Sequence, residues 1–523
     1  MSDDPTATSD PIRGWCMPPW GWLFLILVLA AALRWARIGH ESLWLDEQLS
    51  LENSTGRGHL HGSLPSETVL DPAPAPTRLG DAPGLAAIWS SLESETHPPL
   101  FFIVLNVWRH LAGEGDVAAR ALSVAMSLLC IVLMYFVARL LHENTSAPAL
   151  WACLIMAVAT PQIGIAQEAR PYTMSLAALL AAALALVRIE KLGPTLWRAI
   201  AFAAALLGMM LTHYLTFGPA IALLVYTLIR LRGRARVMAC SACVAAALVY
   251  AIIWGPFFIQ QAHRFRQEHA WMLESEPTRS LLRPLARVVD VPIRYFIEPM
   301  SESRPIGRIA CILFVLPPLI MITHRRADLL LWWLLLIAPV AEVAIADTLR
   351  GAWALMMVRY TFLATAPAYA LVAAMLAHRT GWQRHIAPLL ASLSCVAALQ
   401  SAYSGSRPDW REPGKMLREQ VRPGDVLVMT RSGPNDWQSA AMYLALSHYA
   451  APKVPVVILE KPPTGSAAQL IGSSRRIWMV GIVGNDGSPP QLPLGQANGS
   501  IVAARDFPFC CAIICVENHP RTD

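Results

Sequence analysis

Apolar residues run in blocks of bilayer length along most of the chain and stop near residue 402. Crossing a hydrocarbon core of about 30 Å takes about 20 residues of α-helix. Runs of that kind stand at 20–38, 120–141, 149–166, 172–189, 197–213, 214–231, 237–259, 307–323, 328–346, 357–377 and 386–402. The pattern therefore predicts about 11 spanning helices. The first run is followed closely by further runs, so it reads as a retained helix and not a removed signal peptide. The run 98–111 is too short to cross the core and reads as a juxtamembrane or re-entrant helix.

Beyond residue 402 the period changes. Short β-like runs at 426–429, 456–459 and 477–482 alternate with a helix-like stretch at 436–448, and Arg422-Pro-Gly-Asp425 makes a turn before the first of them. The fold class is therefore a polytopic α-helical membrane protein with a small C-terminal α/β soluble domain. The expected organisation is a cytoplasmic tail at 1–19, a membrane domain at 20–402 with outer loops 39–119 and 260–305, and an extracytoplasmic domain at 403–523. The centre of the first loop, 71–83, is Pro-rich and reads as a flexible excursion.

Composition supports this reading: 55% of the 523 residues are hydrophobic and 15% charged, where a soluble domain carries about 25% charge. The net charge of +6 is spread thinly, which argues against a nucleic-acid partner. Basic residues set the orientation, because Lys and Arg concentrate in short cytoplasmic loops. Arg139, Arg188 with Lys191, the Arg230–Arg236 cluster, Arg325 with Arg326, and Arg379 with Arg384 mark every second boundary as inner. One conflict stands: the 261–304 loop falls on the outer side yet carries seven Arg. That loop is also a candidate for specificity, by its location. Most of the ten cysteines sit in or beside apolar runs as small core residues. Cys510, Cys511 and Cys515 lie in the outer domain, where one disulfide is expected from Cys515 to Cys510 or Cys511. No P-loop, dinucleotide fingerprint or zinc-like spacing is present in the sequence.

The remaining charge gathers at predicted outer helix ends. Glu41-Ser-Leu-Trp-Leu-Asp-Glu47 follows the first span; a carboxylate there can serve as general base, or Ser42 or Asp46 can simply cap a juxtamembrane helix. His97-Pro-Pro-Leu100 reads on its own as a helix start. Gln167-Glu-Ala-Arg-Pro-Tyr172 packs an amide, an acid and a base between two apolar runs, where ionisable groups point to function more than to anchoring. His213-Tyr214 stands at a helix junction and Arg359-Tyr360 at the start of a late span. An Arg facing the bundle interior can grip a phosphate bidentately, whereas one facing out anchors lipid headgroups.

In their order and on their predicted side, these motifs resemble bacterial membrane glycosyltransferases of the GT-C superfamily. The likeness is to the branch of the dolichyl-phosphate-mannose protein mannosyltransferases and the lipid A aminoarabinose transferase. It covers about residues 20–430, and Asp409-Trp-Arg411 followed by Arg422-Pro-Gly-Asp425 resembles the start of the outer domain in such sequences.

The resemblance implies a sugar donor on a polyprenyl phosphate, reached from the outer side of the bacterial cytoplasmic membrane. The acceptor is a lipid, protein or polysaccharide hydroxyl, and membrane lipids surround the bundle. Asp46 matches the family's acid after the first span and would deprotonate the acceptor, with inversion at the anomeric carbon; Glu47 would orient the acceptor or share the role. Arg170 and Arg359 would stabilise the leaving phosphate. Glu168, His97, Tyr172, His213 and Tyr214 are candidate substrate-binding residues. No cofactor is certain from the sequence; Asp46, Glu47 and Glu168 are candidate oxygen ligands for a divalent metal ion, which some members of the superfamily need. Two other classes compete: a transporter or flippase of lipid-linked saccharides, which predicts an internal repeat and charges at span centres, and a non-enzymatic assembly subunit.

Overall fold

A computed structural model describes residues 17–143, 145–268, 288, 291–297, 327–377, 379–404, 407–431, 437–481, 499–507 and 511–518. The expected span at 307–323 and most of the Arg-rich 261–304 loop lie outside these residues. The chain divides into two compact units. One holds Met1–Ile38, Thr96–Phe101 and Arg120–Gly405; the other holds Gly39–Glu95, Phe102–Ala119 and Ser406–Asp523.

The first unit is a helical bundle whose members follow the apolar runs. They include Pro19–Trp35, Asp116–Leu141, Tyr172–Leu192, Leu196–Met210, Phe217–Arg230, Gly233–Ile253, Leu330–Arg350, Thr365–Ala374 and Ile386–Ala397. Among the described residues four helices are long and apolar enough to cross a bilayer, or five if one bent pair counts as a span; four more are apolar and shorter. Val237, Val244, Leu248 and Ile252 stand 57–76% exposed along one stripe of Gly233–Ile253, as a lipid-facing surface would be. Inside, small residues let helices approach: Ala30 of Pro19–Trp35 and Ala149, Ala152 and Cys153 of Ser146–Val158 are completely buried, and these two helices pack on each other. Cys130 and Cys153 bear out their reading as small core residues, their thiols donating to the Thr173 and Ile131 carbonyls.

The 149–166 run is one apolar block but two helices. Ser146–Val158 and Thr160–Ala166 meet at a 60° bend. Ala159 there is extended (ψ 126°) and Pro161 opens the second helix. The carbonyls freed at the end of the first helix need donors. Arg34, fully buried, supplies them: it donates to Met156 O and Ala157 O at 2.9 Å each, and to Ser127 Oγ at 2.7 Å.

The second unit is built on a six-stranded sheet in the order β1-β3-β2-β4-β6-β5, with β1 Val69–Leu70, β2 Val426–Thr430, β3 Val456–Leu459, β4 Arg476–Gly481, β5 Gly499–Phe507 and β6 Cys511–Asn518. β2 lies parallel between β3 and β4, while β1, β5 and β6 pair antiparallel. Helices Trp437–Tyr449 and Gly465–Ser473 supply the crossovers that parallel strands require. Alternate residues of the strands, Val426, Val428, Val457, Leu459, Ile477 and Met479, form one core with Ala467 and Ile471 of the second crossover helix. The turn before β2 closes as expected: the Asp425 amide reaches Arg422 O at 3.0 Å with Gly424 at φ +90°. Asp425 is 2% exposed and held by Arg476 at 2.7 and 3.1 Å and by Trp478 Nε1 at 3.0 Å.

Two expectations fail here. The 71–83 stretch is no loose excursion: it leaves β1, an added strand on β3, and its carbonyls are held by side chains. Tyr443 donates to Pro74 O at 2.8 Å, and Arg57 to Arg78 O and Gly80 O at 2.5 and 2.7 Å. Nor does the expected disulfide form. Cys511 and Cys515 lie four residues apart on the same strand, about 13 Å at the rise of an extended chain, far beyond disulfide reach. Cys515 carries a free thiol, 1% exposed; Cys510 falls outside the described residues.

Candidate active site

In the helical unit, four of the expected residues converge. His97 lies in the coil before Leu100–Ala112, which the Leu100 amide ties to Leu211 O at 3.0 Å, the end of the helix Leu196–Met210. Arg170 lies in the turn between Thr160–Ala166 and Tyr172–Leu192. Its Nη2 stands 3.3 Å from His97 Nε2, and its guanidinium carbon 5.8 Å from the Tyr172 ring centre. His213 completes the group, with ring centres 5.3 Å from His97 and 5.5 Å from Tyr172. Arg170, Tyr172 and His213 are 6%, 4% and 7% exposed.

The tautomer of His213 follows from its contacts. Its Nδ1 accepts the Leu215 amide at 3.1 Å, capping the turn that starts Phe217–Arg230. Nε2 then carries the proton when the ring is neutral. That buried N–H finds no hydrogen-bond partner among the described residues. A buried donor without an acceptor is costly, so the position fits an oxygen brought by a ligand. With the Arg170 cation beside it, the group suits phosphate or sugar oxygens.

Glu168, half-buried, sits in the same turn and its carbonyl accepts the Arg170 amide at 2.8 Å. Gln167 fastens that turn to the end of the first helix through Arg34 O and Ala36 O at 2.9 and 2.7 Å. Arg34 therefore supports both the bend before the turn and, through its carbonyl, the turn itself. Sequence reading missed Arg34, although an Arg inside the first apolar run was the available signal. Arg359 stands on the short helix Val358–Thr361, its guanidinium 5.2 Å from the Tyr360 ring centre. Asp347 sets the approach to that helix by accepting the Ala354 and Leu355 amides at 3.0 and 2.8 Å. Tyr214 is placed apart from the His97 group: its hydroxyl bonds Gln261 and accepts from Trp254 Nε1 at 2.9 Å.

In the sheet-containing unit, Asp46 and Glu47 open the helix Leu45–Asn53. They are adjacent but unlike. Glu47 is fully buried, accepts the Trp44 amide at 3.3 Å as a helix cap, and meets Arg407 Nη1 at 3.4 Å. Arg407 also reaches Glu41 at 3.4 Å and lies 5.2 Å from the Trp44 ring centre. Asp46 is the more exposed carboxylate of the two.

The segment before Asp46 is clamped from several directions. Ser42 Oγ donates to Pro408 O at 2.7 Å and accepts the Trp410 amide at 3.2 Å. Arg411 donates to Gly39 O, His40 O and Glu41 O at 2.7, 3.0 and 2.7 Å, and to Asp116 at 2.5 and 3.1 Å. Tyr449 accepts the Leu43 amide at 2.7 Å. Burial and the neighbouring Asp116 raise the Tyr449 hydroxyl above the ordinary phenol range, so it stays protonated and donates to Asp116 at 2.8 Å. None of Arg407, Asp116 or Tyr449 was singled out from sequence, because their partners lie 295 residues or more away. Among the described residues no group of three His, Cys, Asp or Glu side chains is arranged to hold a metal ion.

Residues 96–258 match the family described as dolichyl-phosphate-mannose-protein mannosyltransferase. No curated protein matches the chain by sequence. Among solved structures, ArnT from Cupriavidus metallidurans in the apo state superposes with a TM-score of 0.58 at 14% identity, covering 95% of this chain and 98% of that one. The same protein bound to undecaprenyl phosphate gives 0.57 at 14% identity over the same shares. The His97, Arg170, Tyr172 and His213 group lies wholly within the matched family region. These findings bear out the resemblance to GT-C glycosyltransferases of the protein mannosyltransferase and ArnT branch.

Proposed function

From that kinship we propose that the chain is a multi-pass membrane glycosyltransferase that moves a sugar from a polyprenyl phosphate to an acceptor hydroxyl. The observation that carries the reading is the His97–Arg170–Tyr172–His213 group, which sets a cation beside a buried, unpartnered imidazole N–H within the family region. Those are the groups a phosphate leaving group calls for. The undecaprenyl phosphate bound to ArnT supports a polyprenyl carrier as the donor.

The mechanism assigns Asp46 as general base. It takes the acceptor proton while the acceptor oxygen attacks the anomeric carbon from the face opposite the phosphate, so configuration inverts. The C–O bond to phosphate breaks and the electron pair stays on the phosphate, whose charge Arg170 and Arg359 stabilise. His213 Nε2–H donates to a phosphate or sugar oxygen, and His97 and Tyr172 shape the surrounding wall. Glu47 holds the helix of Asp46 in place through the Trp44 amide and Arg407. Glu168 and Tyr214 remain as proposed sugar-binding positions, and no step is routed through a metal.

The proposed topology has about 11 spans, with the Arg- and Lys-rich boundaries inside and the 403–523 region on the outer side of a bacterial cytoplasmic membrane. The purified full chain, given a radiolabelled undecaprenyl-phosphate sugar and a panel of lipid, protein and polysaccharide acceptors, should label at least one acceptor. Donor binding without labelling of any acceptor would favour the transporter reading instead.

A further inference from the structure

The helix ends opposite the His97 group enclose a second polar site. Tyr172–Leu192 and Phe217–Arg230 start beside Arg170 and His213; their far ends carry Lys191 and Arg230 to the wall of a cavity of about 460 Å³. At 1.5 Å per residue the 21-residue Tyr172–Leu192 helix separates the two sites by about 30 Å, the thickness of a bilayer core. Three further helices of the wall also end there: Asp116–Leu141 finishes, Ser146–Val158 starts, and Thr365–Ala374 runs into the Ala377 wall.

The charges in the wall are unequal in their neutralisation. Arg230 is paired with Glu190 at 2.9 Å, and Asp328 faces His142 at 3.2 Å. Lys191 and Arg384 have no ion-pair partner among the described residues; Arg384 only donates through Nε to the His385 ring at 3.2 Å. Among the described residues Glu143 is the one further carboxylate in the wall, and it is exposed. Two un-neutralised cations thus meet apolar wall from Pro148 and Trp151. Just outside, Trp197 and Trp382 are 78% and 73% exposed on neighbouring helix starts. Exposed Trp at helix ends marks the membrane–water interface.

We propose that this cavity binds the phosphate headgroup of an anionic phospholipid in the leaflet opposite the transfer site, with Lys191 and Arg384 on the phosphate and the Pro148–Trp151 wall along the glycerol and first acyl carbons. A basic pocket between helices at interfacial depth is suited to such headgroups. Its volume is in the range of ligand pockets, about 300–1,000 Å³, and several times that of a bare phosphate. The site stands on the bundle geometry alone. Its assignment to the cytoplasmic leaflet rests on the proposed orientation.

The test is native mass spectrometry of the full chain released from phosphatidylcholine nanodiscs doped with phosphatidylglycerol. Wild type should retain phosphatidylglycerol in preference to phosphatidylcholine. Each of Lys191→Gln and Arg384→Gln should weaken that retention about fivefold, at about 1 kcal/mol per cation near the surface. Lys191→Arg and Arg384→Lys should keep most of it, which separates loss of charge from loss of fold. Equal retention of the two lipids, unchanged retention in the double Gln variant, or displacement of the lipid by excess inorganic phosphate would overturn the proposal, the last by showing a free-phosphate site.

Discussion

Tyr449 accepts the backbone amide of Leu43 at 2.7 Å, three residues before Asp46. The proposed base is therefore held in position from the C-terminal part of the chain, through a hydroxyl that Asp116 in turn orients. Tyr449→Phe keeps the ring and leaves a buried amide unpaired, which costs about 1–3 kcal/mol. Thermal unfolding of the full chain should show the loss. Transfer should fall further than donor binding, because the change acts on the acceptor side. A variant with wild-type stability and rate would remove Tyr449 from this role.

His213→Phe retains a ring against His97 and Tyr172 and deletes the Nε2 donor. If that donor bonds phosphate, a charge-assisted bond of about 1.5–3 kcal/mol disappears, weakening donor binding at least tenfold. Titration with undecaprenyl phosphate measures it directly. An unchanged dissociation constant would show that the buried N–H has some other partner.

Arg476 and Trp478 both donate to the buried Asp425 carboxylate. Asp425→Ala takes the acceptor from Trp478 Nε1 and the Arg422 amide and leaves Arg476 only Gln420 O, and an unsatisfied buried donor costs about 1–3 kcal/mol. The sheet should become protease-sensitive at the strand that follows. Limited proteolysis mapped by mass spectrometry reads this, and an unaltered pattern would speak against the pair as a stabilising contact.

Burial pushes the Cys515 thiol up to about 11, above its unfolded range near 8.5. Between those values the unfolded chain gives up the proton and the folded one keeps it. The folded state therefore loses stability as pH rises from about 8.5 to 11, and Cys515 contributes nothing to pH dependence below that window. Cys515→Ala should flatten the alkaline limb of a stability–pH curve. Native protein at pH 8 should release no thiol from Cys515 to a disulfide reagent; rapid reaction there would contradict its burial.

The bundle was legible because a bilayer imposes one simple demand, a long apolar run, and most of the described helices follow those runs. What such runs conceal is a break within one of them: Ala159 is apolar, and only the extended backbone there shows the bend that Arg34 supports. The strands β2, β3 and β4 were readable as Val- and Ile-rich runs between turns. β1 was not, since two residues next to a Pro-rich stretch carry no period, and their strand exists through pairing with β3. The disulfide expectation failed for a related reason: spacing in sequence placed Cys511 near Cys515, whereas an extended strand carries them apart. His97, Arg170, Tyr172 and His213 were found as short motifs at helix ends. The clamp of Arg407, Arg411, Asp116 and Tyr449 depends on contacts across hundreds of residues, which no local pattern records.

The central claim is that Asp46 removes the acceptor proton. Asp46→Asn keeps the shape of the side chain and abolishes its basicity. Donor binding and transfer should be measured on the same preparation beside wild type, with radiolabelled undecaprenyl-phosphate sugar and an acceptor that wild type labels. The account predicts unchanged donor affinity with transfer reduced by about 10²–10⁴. Transfer at the wild-type rate would contradict it.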